Sequence, residues 1–221
     1  MEQGLYLTAV RDPADMLTHH LLDCLAAVLP LRRELAAIAY RRDGEGDGEG
    51  DAAGGINLYM ENTLSRPLAA APLFRLLDVG SGAGLPGIVI AICCPDVAVD
   101  CVDTVAKKAA FISQVALGLK LSNLRGIHAR VESLAERYDV VSSRAFASLA
   151  DFTAWSRGAL KEGGVWLAMK GQHPQTEIDA LTLGNTALTP SVKVFHVEQL
   201  KVPGLAAERC LVWMRLAAPI P

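Results

Sequence analysis

Between residues 73 and 183, short apolar runs bounded by polar or turn residues alternate with stretches whose apolar positions recur every three or four residues. The first pattern is that of strands buried on both faces, and the second that of helices covering them. The spacing predicts strands over 73–79, 97–102, 125–129, 138–143 and 164–169. It predicts helices over 87–94 (stopped by Pro95), 104–120, 148–160 and 174–183. Strict alternation of this kind implies an α/β fold, a mostly parallel sheet with helices on both faces. The end of the chain differs. Val192–Leu200 and Arg209–Leu216 are strand-like and joined by a connection of hairpin length, which predicts an antiparallel strand at the sheet edge. Ahead of the alternation, Asp12-Pro13 reads as an N-cap followed by proline at the first helical position, and Leu17, Leu21, Leu22, Leu25 and Leu29 continue at helical spacing up to Pro30. The expected organisation is an N-terminal helical segment over 1–30, an insertion over 31–72 and a core over 73–221.

The composition, 51% hydrophobic and 20% charged in 221 residues, is that of one globular α/β domain with a full core. The most apolar stretch, Leu85 to Val102, is interrupted by Pro86, Pro95, Asp96 and Asp100, and Met1-Glu2-Gln3 opens no basic leader, so no membrane segment and a cytoplasmic location are expected. Five cysteines (Cys24, Cys93, Cys94, Cys101, Cys210) form no C-x-x-C pair and sit in apolar surroundings, which implies reduced thiols and no metal site. His19-His20 reads as helix surface or packing. The net charge of −3 argues against a nucleic-acid partner until its origin is seen: Asp43 to Asp51 holds five acids and no base, and removing those five from −3 leaves +2. That Gly/acid tract, extended to Gly55, has nothing to bury and is expected to be a disordered loop.

The chemistry concentrates where the first core strand ends, in Leu76-Leu77-Asp78-Val79-Gly80-Ser81-Gly82-Ala83-Gly84-Leu85-Pro86-Gly87. Glycines at a strand-to-helix turn allow a tight bend and close approach of backbone to ligand. Gly82-x-Gly84-x-x-Gly87 alone also fits a dinucleotide site. Asp78 changes the balance, because an acid at the strand end would repel a pyrophosphate and suits the cationic amino and sulfonium groups of S-adenosylmethionine. Asp-x-Gly-x-Gly-x-Gly resembles the first motif of class I methyltransferases, whose Rossmann-like sheet carries an antiparallel edge.

In such sheets ligands bind beyond the carboxyl ends of the strands. After the second strand stands Asp103, an acid able to accept from both ribose hydroxyls of an adenosyl group. After the third come Arg130-Val131-Glu132, where Val131 offers an apolar wall to adenine and Glu132 reads alternatively as a helix-start charge. After the fourth comes Ser142-Ser143-Arg144-Ala145-Phe146, and after the fifth Met169-Lys170-Gly171-Gln172. Lys107-Lys108 lies on a helix, where solvation suffices as an explanation, with an RNA phosphate contact as the alternative. The fourth exit excludes some reactions. Methylating an exocyclic amine goes with Asn/Asp-Pro-Pro-aromatic, and cytosine C5 methylation needs a cysteine nucleophile, whereas the chain has only Cys94-Pro95 at a helix end. A ring nitrogen such as guanine N7 needs neither, since its in-plane lone pair carries no proton.

Tyr6-Leu7-Thr8-Ala9-Val10-Arg11-Asp12-Pro13, His20-Leu21-Leu22-Asp23, Asp78 to Gly87, Ser143-Arg144-Ala145-Phe146-Ala147-Ser148-Leu149, Leu167-Ala168-Met169-Lys170-Gly171-Gln172 and Glu208-Arg209 together resemble the RsmG family, also called glucose-inhibited division protein B. The resemblance covers roughly residues 5–30 and 74–217. It implies methylation of guanine N7 in the decoding-region loop of bacterial 16S ribosomal RNA, with S-adenosylmethionine as cofactor, 16S rRNA or the small ribosomal subunit as partner, and a monomeric cytoplasmic enzyme. With the glycine-turn and strand-exit readings, the expected cofactor set is Asp78, Gly80, Gly82, Gly84, Leu85, Asp103, Val131, Glu132 and Arg144. The expected catalytic residues are Arg144, Lys170 and Arg209, and the expected RNA contacts Arg130, Lys170 and Arg209. Family members carry further helices ahead of the Leu-Thr-x-Val-Arg-Asp-Pro segment. Alternatives are a methyltransferase for another RNA or a small molecule, a non-catalytic ribosome-assembly module that binds RNA, and a nicotinamide dehydrogenase.

Overall fold

A computed structural model describes residues 16–42, 72–183 and 191–217. The Asp12-Pro13 cap and the Gly/acid tract over 43–55 lie outside those residues. The core elements appear in the expected order: β1 (Phe74–Val79), α3 (Gly87–Cys93), β2 (Val97–Asp103), α4 (Ala106–Gly118), β3 (Leu124–His128), β4 (Tyr138–Arg144), α5 (Leu149–Ser156), β5 (Leu160–Lys170), α6 (Gln175–Leu183), β6 (Val192–Leu200) and β7 (Arg209–Leu216). Ahead of them come a π-helical stretch (Leu17–Leu22), α1 (Asp23–Ala26) and α2 (Val28–Arg42).

The seven strands lie in the order β3-β2-β1-β4-β5-β7-β6. β3 to β5 are parallel, and β7 runs antiparallel to both β5 and β6, so the expected antiparallel edge is a β6–β7 hairpin. Because side chains alternate across a strand, Phe74 and Leu76 of β1 feed one core while Leu77 and Val79 feed the other. The same division runs through Val165, Leu167 and Met169 against Trp166 and Ala168 in β5. The reversal of strand order between β1 and β4 opens a crevice at their carboxyl ends, and the site is built there.

Several boundaries differ from those expected. The N-terminal helix does not stop before Pro30. A turn at Ala27 restarts it, and Pro30 falls in the first turn of α2, where a backbone N–H has no intrahelical partner to lose. Residues 31–42, expected to open the insertion, are helical and packed: Leu31 and Leu35 are fully buried and Ile38 nearly so, in the same core as α3. The helix predicted to begin at Thr104 begins at Ala106, because the Asp103 carboxylate accepts the Val105 N–H and holds the chain extended for two residues. The helix predicted over 148–160 ends at Ser156 and passes through a 3₁₀ turn, Arg157–Ala159, into a longer β5. Its start is capped by Ser148, whose Oγ accepts the Asp151 N–H.

Candidate active site

The glycine turn is held from below. Asp78 shares a face of β1 with Phe74 and Leu76, and this places it under the first residue of α3 and not at the rim. Its carboxyl group accepts from the Gly87 N–H at 3.1 Å and the Ser142 hydroxyl at 3.1 Å, and none of it is exposed. Burial pushes its pKa up to about 7 against the pull of those two donors. Asp78 thus ties loop, helix and β4 together, and the expectation that it meets a ligand is corrected. Gly87 has to be glycine here, since a Cβ would stand 2.3 Å from Cys101 Sγ.

The loop's amides are spent internally. Gly80 and Ser81 donate to the Val102 carbonyl, Gly82 to Asp103, Gly84 and Leu85 to the Ser81 carbonyl, and Ile88 to the Gly84 carbonyl. A pyrophosphate cradle needs such amides free. The turn has spent most of them, which disfavours a nicotinamide dehydrogenase on firmer ground than the position of Asp78.

Above the loop lies a cavity of about 470 Å³. Of the expected cofactor residues it is lined by Gly80, Asp103, Val131 and Glu132; Asp78, Gly82, Gly84, Leu85 and Arg144 do not line it. Gly82 acts through its N–H on Asp103 at 3.0 Å, and Gly84 and Leu85 support the turn. Asp103 also accepts from Val105 N–H at 2.8 Å and lies 3.5 Å from Lys108 Nζ, so a nearly buried carboxylate is fixed at the rim by three donors. Lys108, expected as a solvated helix charge or an RNA phosphate contact, lines the cavity. So does Arg130, which was expected on the RNA face. Two aromatic walls were missed altogether. Phe146 and Trp155 pack edge to face at 5.8 Å, and Phe146 lies so near Gly80 that a Cβ there would stand 2.2 Å from its ring. The signal for Phe146 was its place two residues beyond β4. Trp155 had none, because it comes from the far end of α5.

A second cavity, about 260 Å³, opens at the ends of β4, β5 and β7, and here the expected Arg144, Lys170 and Arg209 converge. Ala145, at φ +50°, lines both cavities. Each cation is already held. Lys170 Nζ lies 2.8 Å from Glu177 Oε2 and donates to the Ala147 carbonyl at 2.9 Å. Arg144 pairs with Asp23 at 3.3 Å and donates to the His19 carbonyl at 2.6 Å and to His20 Nδ1 at 3.0 Å, while Arg209 Nε lies 3.3 Å from Asp23. His20 is thus more than packing: burial and the Arg144 charge lower its pKa and keep Nδ1 free to accept. Cys210 lines this cavity too, but burial raises its thiol pKa and the S–H points at the Gln172 carbonyl, so it is no thiolate nucleophile. All five cysteines are free thiols, and among the described residues no His, Cys, Asp and Glu side chains cluster as metal ligands.

Comparison with known proteins decides the family. A profile described as rRNA small subunit methyltransferase G matches residues 64–207. The chain belongs to that family. It is 61% identical over 212 residues to a protein of Acidovorax ebreus (strain TPSY) called ribosomal RNA small subunit methyltransferase G, covering 96% of this chain and 79% of that one. A Polaromonas sp. protein of the same name is 58% identical, over 95% of this chain and 76% of its own length. Among solved structures, a 16S rRNA (adenine(1408)-N(1))-methyltransferase variant from Catenulisporales acidiphilia superposes with a TM-score of 0.54 at 18% identity, over 70% of this chain and 90% of that one. At that identity the likeness shows the class I methyltransferase fold alone.

Proposed function

We propose that this member of the rRNA small subunit methyltransferase G family transfers a methyl group from S-adenosylmethionine to N7 of a guanine in the decoding-region loop of bacterial 16S rRNA. The observation that carries the reading is the meeting of two unlike cavities at Ala145. One has aromatic and aliphatic walls, with Asp103 fixed at its rim and Lys108, Arg130 and Glu132 around it, and the other gathers Arg144, Lys170 and Arg209 around Asp23.

The first cavity fits the cofactor. Gly80 lets the wall at Phe146 close in, Asp103 accepts from the ribose hydroxyls, Val131 faces adenine, and Glu132 and Lys108 border the opening. When bound there, S-adenosylmethionine supplies an electrophilic methyl group on sulfur. The chain's part is alignment, because guanine N7 has an in-plane lone pair and needs no general base. Lys170 and Arg209 hold the RNA and Arg144 fixes the wall beside the target base. In A-form RNA the major groove that displays N7 is deep and narrow, so the base is met in a loop or a distorted segment. Among the described residues no helix is long and apolar enough to cross a membrane. Acting on ribosomal RNA, the protein works in the cytoplasm, and one copy carries both cavities, so a monomer suffices.

The test is transfer of labelled methyl from S-adenosylmethionine to 16S rRNA or small subunits, followed by nucleoside mass spectrometry. The expected product is 7-methylguanosine at one position that is unmodified in rRNA from a deletion strain. Label on another base or another RNA would replace the reading by one of its alternatives.

A further inference from the structure

The second cavity contains a charge that phosphate binding does not explain. Asp23, at the start of α1, is 1% exposed yet lines the cavity between Arg144 and Arg209. Its Oδ2 is engaged by Arg144 at 3.3 Å. Its Oδ1 lies 3.3 Å from Arg209 Nε without a hydrogen bond, and is one of few buried side-chain oxygens among the described residues that accept none. A buried carboxylate oxygen with its acceptor capacity unused, on a residue that lines a cavity, costs free energy until a donor arrives. An anion would be repelled by it. A neutral group presenting N–H donors is what it fits.

We infer that Asp23 reads the Watson–Crick edge of the target guanine, accepting from N1–H and the N2 amino group. This rests on the guanine-N7 reading above and deepens it. Guanine is the base that presents two adjacent N–H donors to a carboxylate, whereas adenine turns an unprotonated N1 to it and is repelled. The donors and N7 lie on opposite edges of the purine, so a base seated on Asp23 turns its N7 edge away from that wall and into a cavity that shares Ala145 with the larger one.

The same contact serves the chemistry. As the N7 lone pair forms the new N–C bond, the electrons of the methyl–sulfur bond pass to sulfur, no proton moves, and the positive charge leaves sulfur for the purine. The N1–H and N2–H groups become stronger donors as that charge develops, so their bonds to a desolvated carboxylate tighten in the transition state. Asp23 thereby sets both the choice of base and part of kcat.

The test uses the full chain and small subunits assembled from 16S rRNA with either guanosine or inosine at the target position. Inosine lacks only the N2 amino group and keeps N7. The wild-type protein is expected to prefer guanosine about ten- to a hundred-fold in kcat/KM, the worth of one hydrogen bond to a charged group. Asp23→Asn and Asp23→Ala are expected to be slower on guanosine, with the loss in kcat, and to show a guanosine-to-inosine ratio near one. S-adenosylmethionine affinity, measured alongside by calorimetry, should be retained and shows that the variants are folded. Equal wild-type rates on the two subunits would overturn the inference without any variant. An undiminished ratio in folded Asp23 variants would overturn it equally, and reduce Asp23 to an ion-pair partner. Failure of the wild type to methylate the guanosine subunit at all would instead remove the guanine-N7 reading beneath it.

Discussion

Gly80→Ala adds one methyl group at a point where the structure leaves no space for it. The residue sits at φ +64°, and an ideal Cβ would lie 2.2 and 2.8 Å from two ring carbons of Phe146. The left-handed backbone costs an L-residue roughly 1–2 kcal/mol. The steric part depends on whether the ring can retreat, and it is held edge-on by Phe152 at 6.5 Å and Trp155 at 5.8 Å. Overpacking against such a wall costs roughly 1–3 kcal/mol. The expected loss is therefore about 2–5 kcal/mol. For a chain of this size each kcal/mol lowers Tm by roughly 2–4 °C, and differential scanning fluorimetry resolves that readily.

The two contributions separate in a double-mutant cycle. In a Phe146→Ala background the clash is gone but the backbone cost stays, so Gly80→Ala should then cost only about 1–2 kcal/mol, with a coupling of about 1–3 kcal/mol between the sites. Because Gly80 and Phe146 both line the larger cavity, the single variant should also bind S-adenosylmethionine more weakly, by calorimetry. A Gly80→Ala protein as stable as the wild type would refute both parts of the reasoning. An equal cost with and without the Phe146 ring would refute the steric part alone.

Asp103→Ala deprives Gly82, Val105 and Lys108 of their acceptor and takes the fixed carboxylate from the larger cavity, and should weaken S-adenosylmethionine binding about ten- to a hundred-fold; unchanged affinity would take the cofactor out of that cavity. Lys170→Ala should abolish most rRNA methylation and leave S-adenosylmethionine affinity as it is; normal methylation would make the Lys170–Glu177 pair a structural one. Asp78→Asn tests the buried acid through pH. With a folded pKa raised to about 7 from an ordinary 3.8, Asp78 supports folding fully below pH 3.8, and that support is lost as pH rises to about 7. The Tm of the variant minus that of the wild type should therefore grow from pH 5 to pH 8, whereas a pH-independent difference would show that the wild-type group is ionised throughout.

The sheet was legible in the sequence because its strands are buried on both faces and separated by helices long enough to show their own period. The glycine turn and the place of Asp103 on the larger cavity were legible because a strand exit is a local event: the residues that line the crevice follow the strand that delivers them. What was missed is what long-range packing decides. Asp78 carries a charge and stands beside the motif, but whether it points at the ligand or under the loop depends on the face of β1 it occupies, and a one-residue difference reverses that. Pro30 reads as a stop unless the chain is seen to restart at Ala27, after which the same proline is a first-turn residue. Trp155 and Asp23 reach the cavities from elements far along the chain.

The way the cations are held also resolves the conflict between a net charge of −3 and an RNA substrate. A bare cluster of Arg144, Lys170 and Arg209 would attract any phosphate, but it would leave three long side chains to be ordered on binding, each at a cost in side-chain entropy. Here Asp23 and Glu177 hold them in place beforehand, at the expense of long-range attraction. RNA must then be recognised by position more than by charge, and that position depends on parts of the chain remote from the chemistry. Arg144 is fixed by His19, His20, Cys24 and Asp23, all N-terminal to α2, and α2 is anchored in the core by Leu31 and Leu35. The larger cavity, by contrast, is lined from Val79 to Trp155, entirely within the core. Loosening the N-terminal helices should therefore reduce rRNA methylation while S-adenosylmethionine affinity, measured by calorimetry, is kept, and a parallel loss of both would refute this division of labour between the cavities.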